Sequence, residues 1–172
     1  DGDEVYQAVF NDVTEIKQLQ NVQEEARLIE NISLRAAICT SYQLIMNVNL
    51  TRDMYDCFVE EQDISGWGAR RGSYTELLRK LLPGVHSTNR EEYESLFLKE
   101  NVSRLFEQGR QEIYAEFQQM GYDGKEHWIS AQLIRVENPV GDDVIAIMLV
   151  KNLDEIQAEK ARQEHLLREA LL

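Results

Sequence analysis

An unbroken apolar run near the end of the chain limits the possible folds more than any other feature. Residues 144–150 read Val-Ile-Ala-Ile-Met-Leu-Val, without one polar side chain. A short apolar run bounded by turn residues is typical of a strand, and an antiparallel strand with one wet face would alternate. We therefore expect a sheet covered on both faces. Short helices can cover one face. The other face can be covered by the helix before Tyr42, either folded back or supplied by a partner chain. The alternative is a dimer interface that does not involve this helix.

Four further segments have the period of strands. Tyr42 to Asn49 and Met54 to Val59 flank the polar turn Leu50 to Asp53 and predict a hairpin. Glu112 to Met120 and His127 to Val136 alternate across a Gly-containing turn, and with the apolar run they predict a three-stranded meander. The pattern indicates an α+β chain with a five-stranded antiparallel sheet.

Short helices are predicted between the two groups of strands. Ser73 is placed to cap a helix from Tyr74 to Leu82, and Asn89 to cap a second from Arg90 to Leu98. A further short helix or turn follows as far as Gln108. These helices are expected on one face of the sheet.

The two ends of the chain read as long polar helices. From Thr14 to about Ala37 there is no Gly or Pro, and apolar residues recur every three or four positions. The stripe consists of Ile16, Leu19, Val22, Ala26, Ile29, Ile32 and Ala36. A second helix runs from Asp154 to the end, with a thinner stripe broken by Lys160 and Gln163. So narrow a stripe predicts pairing with a second copy of the helix, the alternative being a solvated terminal helix.

Charge and cysteine content exclude several classes of function. The 172 residues carry a formal net charge of −13, and a chain this acidic repels nucleic acid and anionic membrane surfaces unless a basic patch is present. The densest basic cluster is only Arg70-Arg71. Two cysteines, Cys39 and Cys57, match no metal or redox spacing and predict a reducing, cytoplasmic compartment. Glycosylation sequons at Asn31, Asn49 and Asn101 would favour secretion, but such triplets are frequent by chance.

No catalytic or metal-binding motif is present in the sequence. Phosphate loops, HExxH segments and nucleophile elbows are absent, and the paired glutamates are typical of solvated surfaces. Four residues on predicted strands could line a small-molecule cavity, with Trp67 between two glycines as its lid, although such residues are more often plain core. They are Tyr114, Phe117, Trp128 and Met148.

The first residues of the chain are echoed near its end. Gly2-Asp-Glu-Val5 matches Gly141-Asp-Asp-Val144, and Asp12-Val-Thr-Glu-Ile16 matches Asn152-Leu-Asp-Glu-Ile156 after one inserted residue. Each copy is expected to run from turn to strand to capped helix, so residues 1–13 are predicted to end a preceding domain of the same type. The predicted junction residues are Asp12, Thr14, Glu15, Asn152, Asp154 and Glu155.

These motifs, in this order, resemble the PAS sensory domains of bacterial signalling proteins. Asp12-Val-Thr14 with Glu15 looks like the Asp-x-Thr junction that ends such domains. Tyr122 to Trp128 is similar to their hairpin with an acidic-Gly turn and a following Trp, and Val85 to Arg90 stands where many carry Val-His-Pro-x-Asp-Arg. The resemblance covers about residues 40–156.

The resemblance divides the chain into four segments. Residues 1–13 would be the terminal strand of a preceding PAS-like domain, and residues 14–39 a connecting amphipathic helix. Residues 40–153 would form the PAS domain, with short helices on one face of its sheet. Residues 154–172 would form a C-terminal signalling helix that leads into a coiled coil.

The resemblance also implies a function and its partners. The expected function is a non-catalytic sensor or relay in a homodimer joined by the flanking helices, acting on a histidine kinase output. A diguanylate cyclase output or a ligand-free dimerisation module is the alternative. A small-molecule ligand is an open alternative of unknown identity. There is no evidence for haem or covalent flavin, since no Asn-Cys-Arg triplet occurs and His86 lies in a predicted loop rather than on a central helix.

Overall fold

The computed structural model describes the backbone of residues 2–60 and 69–172 and the side chains of residues 12–58 and 69–172. The chain divides into two compact units, one ending at Thr40 and one running from Ser41 to Leu172. Among the described residues, no helix is long and apolar enough to cross a membrane.

The first unit is formed by helix α1, which spans Gly2–Ser41 and so ends one residue inside the second unit. The predicted helix from Thr14 to Ala37 is confirmed and lies wholly within it. The apolar stripe is left open, since its large members are 57% to 65% exposed. These members are Ile16, Leu19, Val22, Ile29 and Ile32.

The strand predicted in residues 1–13 is not found, because residues 2–13 continue α1 without a break. A strand needs neighbouring strands to bond its N–H and C=O groups, whereas a helix satisfies both within its own segment. The described residues of the first unit contain no strand with which residues 2–13 could pair, and the helix therefore prevails. Asp12, Thr14 and Glu15 consequently lie in a helix interior and do not cap its start.

The second unit contains a six-stranded antiparallel sheet in the order β3-β2-β1-β6-β5-β4. The strands are β1 Leu44–Asn49, β2 Met54–Glu60, β3 Arg71–Ser73, β4 Glu112–Met120, β5 Glu126–Val136 and β6 Ile145–Asn152. The five predicted strands are confirmed within two residues, and β3 is an addition to them. With three residues and a central Gly72, β3 has no period to detect, and only its pairing with β2 makes it a strand.

Three short helices connect β3 to β4. They are α2 Tyr74–Leu81, α3 Arg90–Phe97 and α4 Lys99–Glu107, with 3-10 turns at Leu82–Gly84 and Ser87–Asn89. Ser73 caps α2 as predicted, because its hydroxyl accepts from the Glu76 amide at 3.2 Å. Asn89 does not cap α3: the 3-10 turn holds it in a helical conformation, and its side chain accepts instead from the Gln118 amide on β4.

The hydrophobic core lies between one face of the sheet and these helices. Strand β6 alternates, with Ala146, Met148 and Val150 at most 4% exposed. Their neighbours Ile147 and Leu149 point to the other face and are only partly buried. The prediction of two covered faces is therefore correct for the core face alone. A run of apolar residues cannot reveal how completely the second face is covered, because partly buried positions also accept Ile and Leu.

Candidate functional site

The last helix begins directly where the central strand β6 ends. Helix α5 spans Asp154–Ala170, and only Leu153 separates it from Asn152 at the end of β6. Leu153 is 6% exposed, and its amide donates to the Trp128 carbonyl of β5 at 2.7 Å. The first turn of α5 is thus bonded to a strand that lies beside the one from which it emerges.

The side chain of Asp154 adds a second bond to the same strand. Its Oδ1 accepts from the Trp128 amide at 2.8 Å, while its own amide donates to Asn152 Oδ1 at 2.8 Å. Glu155 is exposed in the first turn, where a negative charge complements the helix dipole. Asn152, Asp154 and Glu155 therefore all lie at the boundary between β6 and α5. The role of this junction in signalling stays a prediction.

His127 connects this junction to the β4–β5 turn. Its Nδ1 lies 2.6 Å from Asp154 Oδ2, and its Nε2 lies 2.9 Å from both oxygens of Asp123. The hydrogen bonds to Asp154 and Asp123 raise the pKa of His127 above its usual range. The bond to His127 in turn lowers the pKa of Asp123. Although partial burial opposes it, the bonds from His127 and the Trp128 amide also lower the pKa of Asp154.

Sequence reasoning placed His127 only at the start of a strand. Asp123 could have been found as a partner, because it precedes His127 by four residues across a tight turn. Asp154 could not, since it is 27 residues away and meets His127 only after the sheet has formed.

The chain enters and leaves the sheet at the same place. Gln43, which precedes β1, donates its amide to the Val150 carbonyl at 3.0 Å. Its side-chain Oε1 accepts from the Asn152 amide at 2.5 Å. Gln43 is therefore hydrogen-bonded to the end of β6, the strand from which α5 emerges.

The four predicted ligand residues that the structure describes do not line one cavity. Phe117 and Met148 are buried in the core, at 3% and 4% exposure. Tyr114 is half exposed and bonds Glu116, and Trp128 pairs with Gln118 on the same outer face. Side chains of odd and even residues on a strand point to opposite faces, so the sheet itself separates the two pairs. Trp67 lies outside the described residues.

The interior beside Phe117 is filled by aromatic rings. Tyr93 lies with its ring centre 5.3 Å from Phe97 and 5.1 Å from Phe117. The hydroxyl of Tyr74 donates to the Phe97 carbonyl at 2.8 Å. Burial raises the pKa of both tyrosines, and they stay neutral at any physiological pH. This cluster joins α2 and α3 to β4.

Clusters of possible metal ligands are absent from the part of the chain that the structure describes. No group of three His, Cys, Asp or Glu side chains there could hold a metal ion. Cys39 is exposed, Cys57 is buried, and neither forms a disulfide. His86 caps the 3-10 turn through Thr88, which agrees with the loop position expected for it.

No protein-family model matches the chain, and no curated protein matches it either. Among solved structures, a sensory box histidine kinase/response regulator from Burkholderia thailandensis E264 has a TM-score of 0.50 at 10% identity, covering 80% of this chain and 96% of that one. The N-terminal domain of a diguanylate cyclase with PAS/PAC sensor from Marinobacter aquaeolei has a TM-score of 0.44 at 11% identity, covering 66% and 97%. The blue-light photoreceptor Aureochrome1 LOV has a TM-score of 0.40 at 13% identity, covering 72% and 97%. At these low identities, the similarity to the sensory box histidine kinase/response regulator shows a shared fold and nothing more.

Proposed function

From the PAS-type fold of this chain, we propose that it is a sensory or relay module of a bacterial signal-transduction protein. The module receives a ligand or a movement of the preceding segment and passes it through α5 to an output domain. The chain itself has no catalytic role in this proposal. The observation that carries it is the bond between the first residue of α5, Asp154, and Trp128 of the neighbouring strand.

This bond supports a mechanical role for α5. Since Asp154 and Leu153 both bond to Trp128, a displacement of β5 relative to β6 must move the start of α5 or break those bonds. Two arrangements that differ in this junction are enough for a switch, and an input that favours one of them shifts the population. The shared bonds of Gln43 and Asn152 couple the incoming segment to the same place.

A histidine kinase is the output that we propose. The run Glu164 to Leu172 resembles the coiled lead-in to a phosphoacceptor helix, and its leucines are open to contact, with Leu166 58% and Leu167 63% exposed. The alternative output is a diguanylate cyclase, because similar linkers precede that domain. The full-length protein should label itself from radioactive ATP, and Asp154→Ala should change the labelling rate. Condensation of GTP without self-labelling would establish the alternative.

We further propose a homodimer in which α1 and α5 pair with their copies as coiled coils. The stripe of α1 supports this, because Leu19, Val22 and Ile29 repeat at heptad spacing and are at least 63% exposed. Light scattering should give twice the chain mass, and Ile29→Glu should shift it towards one. Asn31→Glu is the matched control, because it adds the same charge on the opposite side of the helix. Equal masses for both variants would refute pairing through this stripe.

A ligand-free dimerisation module is the rival function, and one pair of measurements separates the two. A sensor with a pocket should melt several degrees higher with one member of a panel of flavins, haem and small metabolites. Deletion of residues 154–172 should also weaken the dimer. No shift with any compound, together with an intact dimer after deletion, would favour the rival. We propose a cytoplasmic location, which the lack of a disulfide at Cys39 and Cys57 supports and which a reporter fusion to the full-length protein checks.

A further inference from the structure

Both ring nitrogens of His127 face carboxylate oxygens. Nδ1 meets Asp154 at 2.6 Å and Nε2 meets Asp123 at 2.9 Å. A carboxylate can only accept a hydrogen bond, whereas a neutral imidazole carries a proton on one nitrogen and a lone pair on the other. Both contacts can therefore be hydrogen bonds only when the ring carries two protons. The observed arrangement is that of an imidazolium held between two carboxylates.

We propose that protonated His127 locks the start of α5 to the β4–β5 turn and that loss of its proton loosens this lock, which makes the junction sensitive to pH. The lock comprises three residues on three elements, namely Asp123 in the turn, His127 on β5 and Asp154 at the start of α5. The consequence for signalling rests on the proposed role of α5. The proton dependence of the junction does not.

The groups around His127 favour its charged form. The β4–β5 turn presents Asp123, whose Oδ1 also accepts from the Lys125 amide at 3.0 Å, and Lys125 is the one cation of that turn. Strand β4 presents the neutral Gln119 as the pairing partner of His127. Helix α5 presents Asp154, with Glu155 next along the chain. Two carboxylates in direct contact outweigh a lysine whose side chain extends from an exposed turn.

The direction of the pH effect follows from these contacts. The carboxylates raise the pKa of His127 above its ordinary value of 6.5. The lock is therefore fully present below about pH 6.5 and is lost as the pH rises through the raised value. Above that pH the ring is neutral, and one of its nitrogens presents a lone pair to a carboxylate instead of donating a hydrogen bond. The amides of Leu153 and Trp128 still hold the helix, so α5 is loosened and not released.

Hydrogen exchange at two amides measures directly how stable this junction is. The Trp128 amide donates to Asp154, and the Leu153 amide donates to Trp128. Exchange of the full chain, measured by NMR between pH 6 and 9 and corrected for the intrinsic rate, should show their protection falling about two- to fivefold, the range expected for a partly exposed ion pair. The fall should coincide with the titration of the His127 ring protons. Constant protection across that titration would overturn the proposal.

Variants assign the effect to the three residues. His127→Gln should abolish the pH dependence at both amides, whereas His165→Gln, which alters an exposed His–Glu pair within α5, should leave it unchanged. Asp154→Asn and Asp123→Asn should each lower the pKa of His127, because each removes one charge that faces the ring. A pH dependence that survives in His127→Gln would refute the lock. The measurement needs no ligand, dimer or output domain. The pH-dependent lock can therefore be refuted while the proposed function stands, and the proposed function can be refuted while the lock stands.

Discussion

Gly121 leaves the space that the imidazole of His127 occupies. A methyl group on Gly121 would lie 2.6 Å from Cδ2 and 2.9 Å from Nε2 of that ring, and 2.8 Å from Oδ1 of Asp123. These distances are well inside van der Waals contact. The glycine is therefore required by the close approach of the ring, and not by its own backbone conformation, since its φ is not positive.

Replacement of this glycine should disturb the His127 contacts. Gly121→Ala should push the ring away from Asp123, because the ring is held between two carboxylates and cannot simply rotate out of the way. We expect a lower pKa of His127, measured by NMR titration, and a loss of about 1 kcal/mol of unfolding free energy.

Gly141→Ala is the matched control for this substitution. Its added methyl group would meet only the Asn138 side chain, at 3.9 Å, which is an ordinary contact. The His127 titration should not change in this variant. If the His127 titration were unchanged in Gly121→Ala as well, the added methyl group would not disturb the contacts of the ring, and the prediction would be wrong.

Asp53 is expected to be the most sensitive turn residue. It has a left-handed φ of 54°, and its carboxylate accepts from the Ser73 hydroxyl and from the amide and hydroxyl of Thr75. Asp53→Ala should cost about 2 kcal/mol, since it removes the bonds from Ser73 and Thr75 and leaves a residue that tolerates the left-handed conformation less well than Asp. Asp53→Gly loses the same bonds without the strain and should cost less. Urea unfolding measures both, and equal losses would show that strain contributes nothing.

The stability that Asp53 contributes should also disappear in acid. Partial burial opposes ionisation, but the bonds from Ser73 and Thr75 prevail and lower the pKa of Asp53 below its ordinary 3.8. Its contribution is therefore complete above about pH 3.8 and declines as the pH falls through the lowered value. The difference in melting temperature between wild type and Asp53→Asn should shrink in that range. A difference that is constant down to pH 2 would contradict this.

Removal of the Tyr74 hydroxyl should destabilise the core. Tyr74→Phe leaves the buried Phe97 carbonyl without its donor, which should cost about 1–3 kcal/mol in urea unfolding. Tyr114→Phe is the control, because that hydroxyl is on a half-exposed side chain and bonds a surface glutamate, and its loss should cost less than about 0.5 kcal/mol. Similar values for the two variants would argue against a structural role for the Tyr74 bond.

Arg90 should matter through its geometry as well as its charge. Its Nε donates to the Val85 carbonyl at 2.9 Å and its Nη2 to the Pro83 carbonyl at 3.0 Å. Arg90→Lys cannot make both bonds from one nitrogen in the same plane and should cost about 1 kcal/mol in thermal unfolding. Arg79→Lys on the exposed side of α2 should be neutral. A neutral Arg90→Lys would show that one bond is enough.

Local patterns were sufficient for most of the fold. Strands such as Glu112–Met120 were predictable because alternation reflects one buried face, and Ser73 was predictable as a cap because its bond reaches only three residues along the chain. In the candidate site, the boundary between β6 and α5 at Asn152, Asp154 and Glu155 was predictable for the same reason. They lie where the hydrophobic pattern changes from the strand of β6 to the helical period of α5, and this change is visible in the sequence itself.

Other features depended on contacts between distant residues. Strand β3 exists only by its pairing with β2, and Asn89 leaves its expected cap to bond Gln118, which is 29 residues away. The opposite placements of Phe117 and Trp128 follow from a pairing register that no single strand contains.

The sequence by itself therefore determined the order of the elements and the position of the junction, because hydrophobic period and helix capping act over a few residues. Only the tertiary structure decided that residues 2–13 are helical despite their echo of a strand, and that His127 lies between Asp123 and Asp154. Strand pairing and ion pairing join residues far apart in the chain. Their outcome depends on which partners the folded sheet brings within reach.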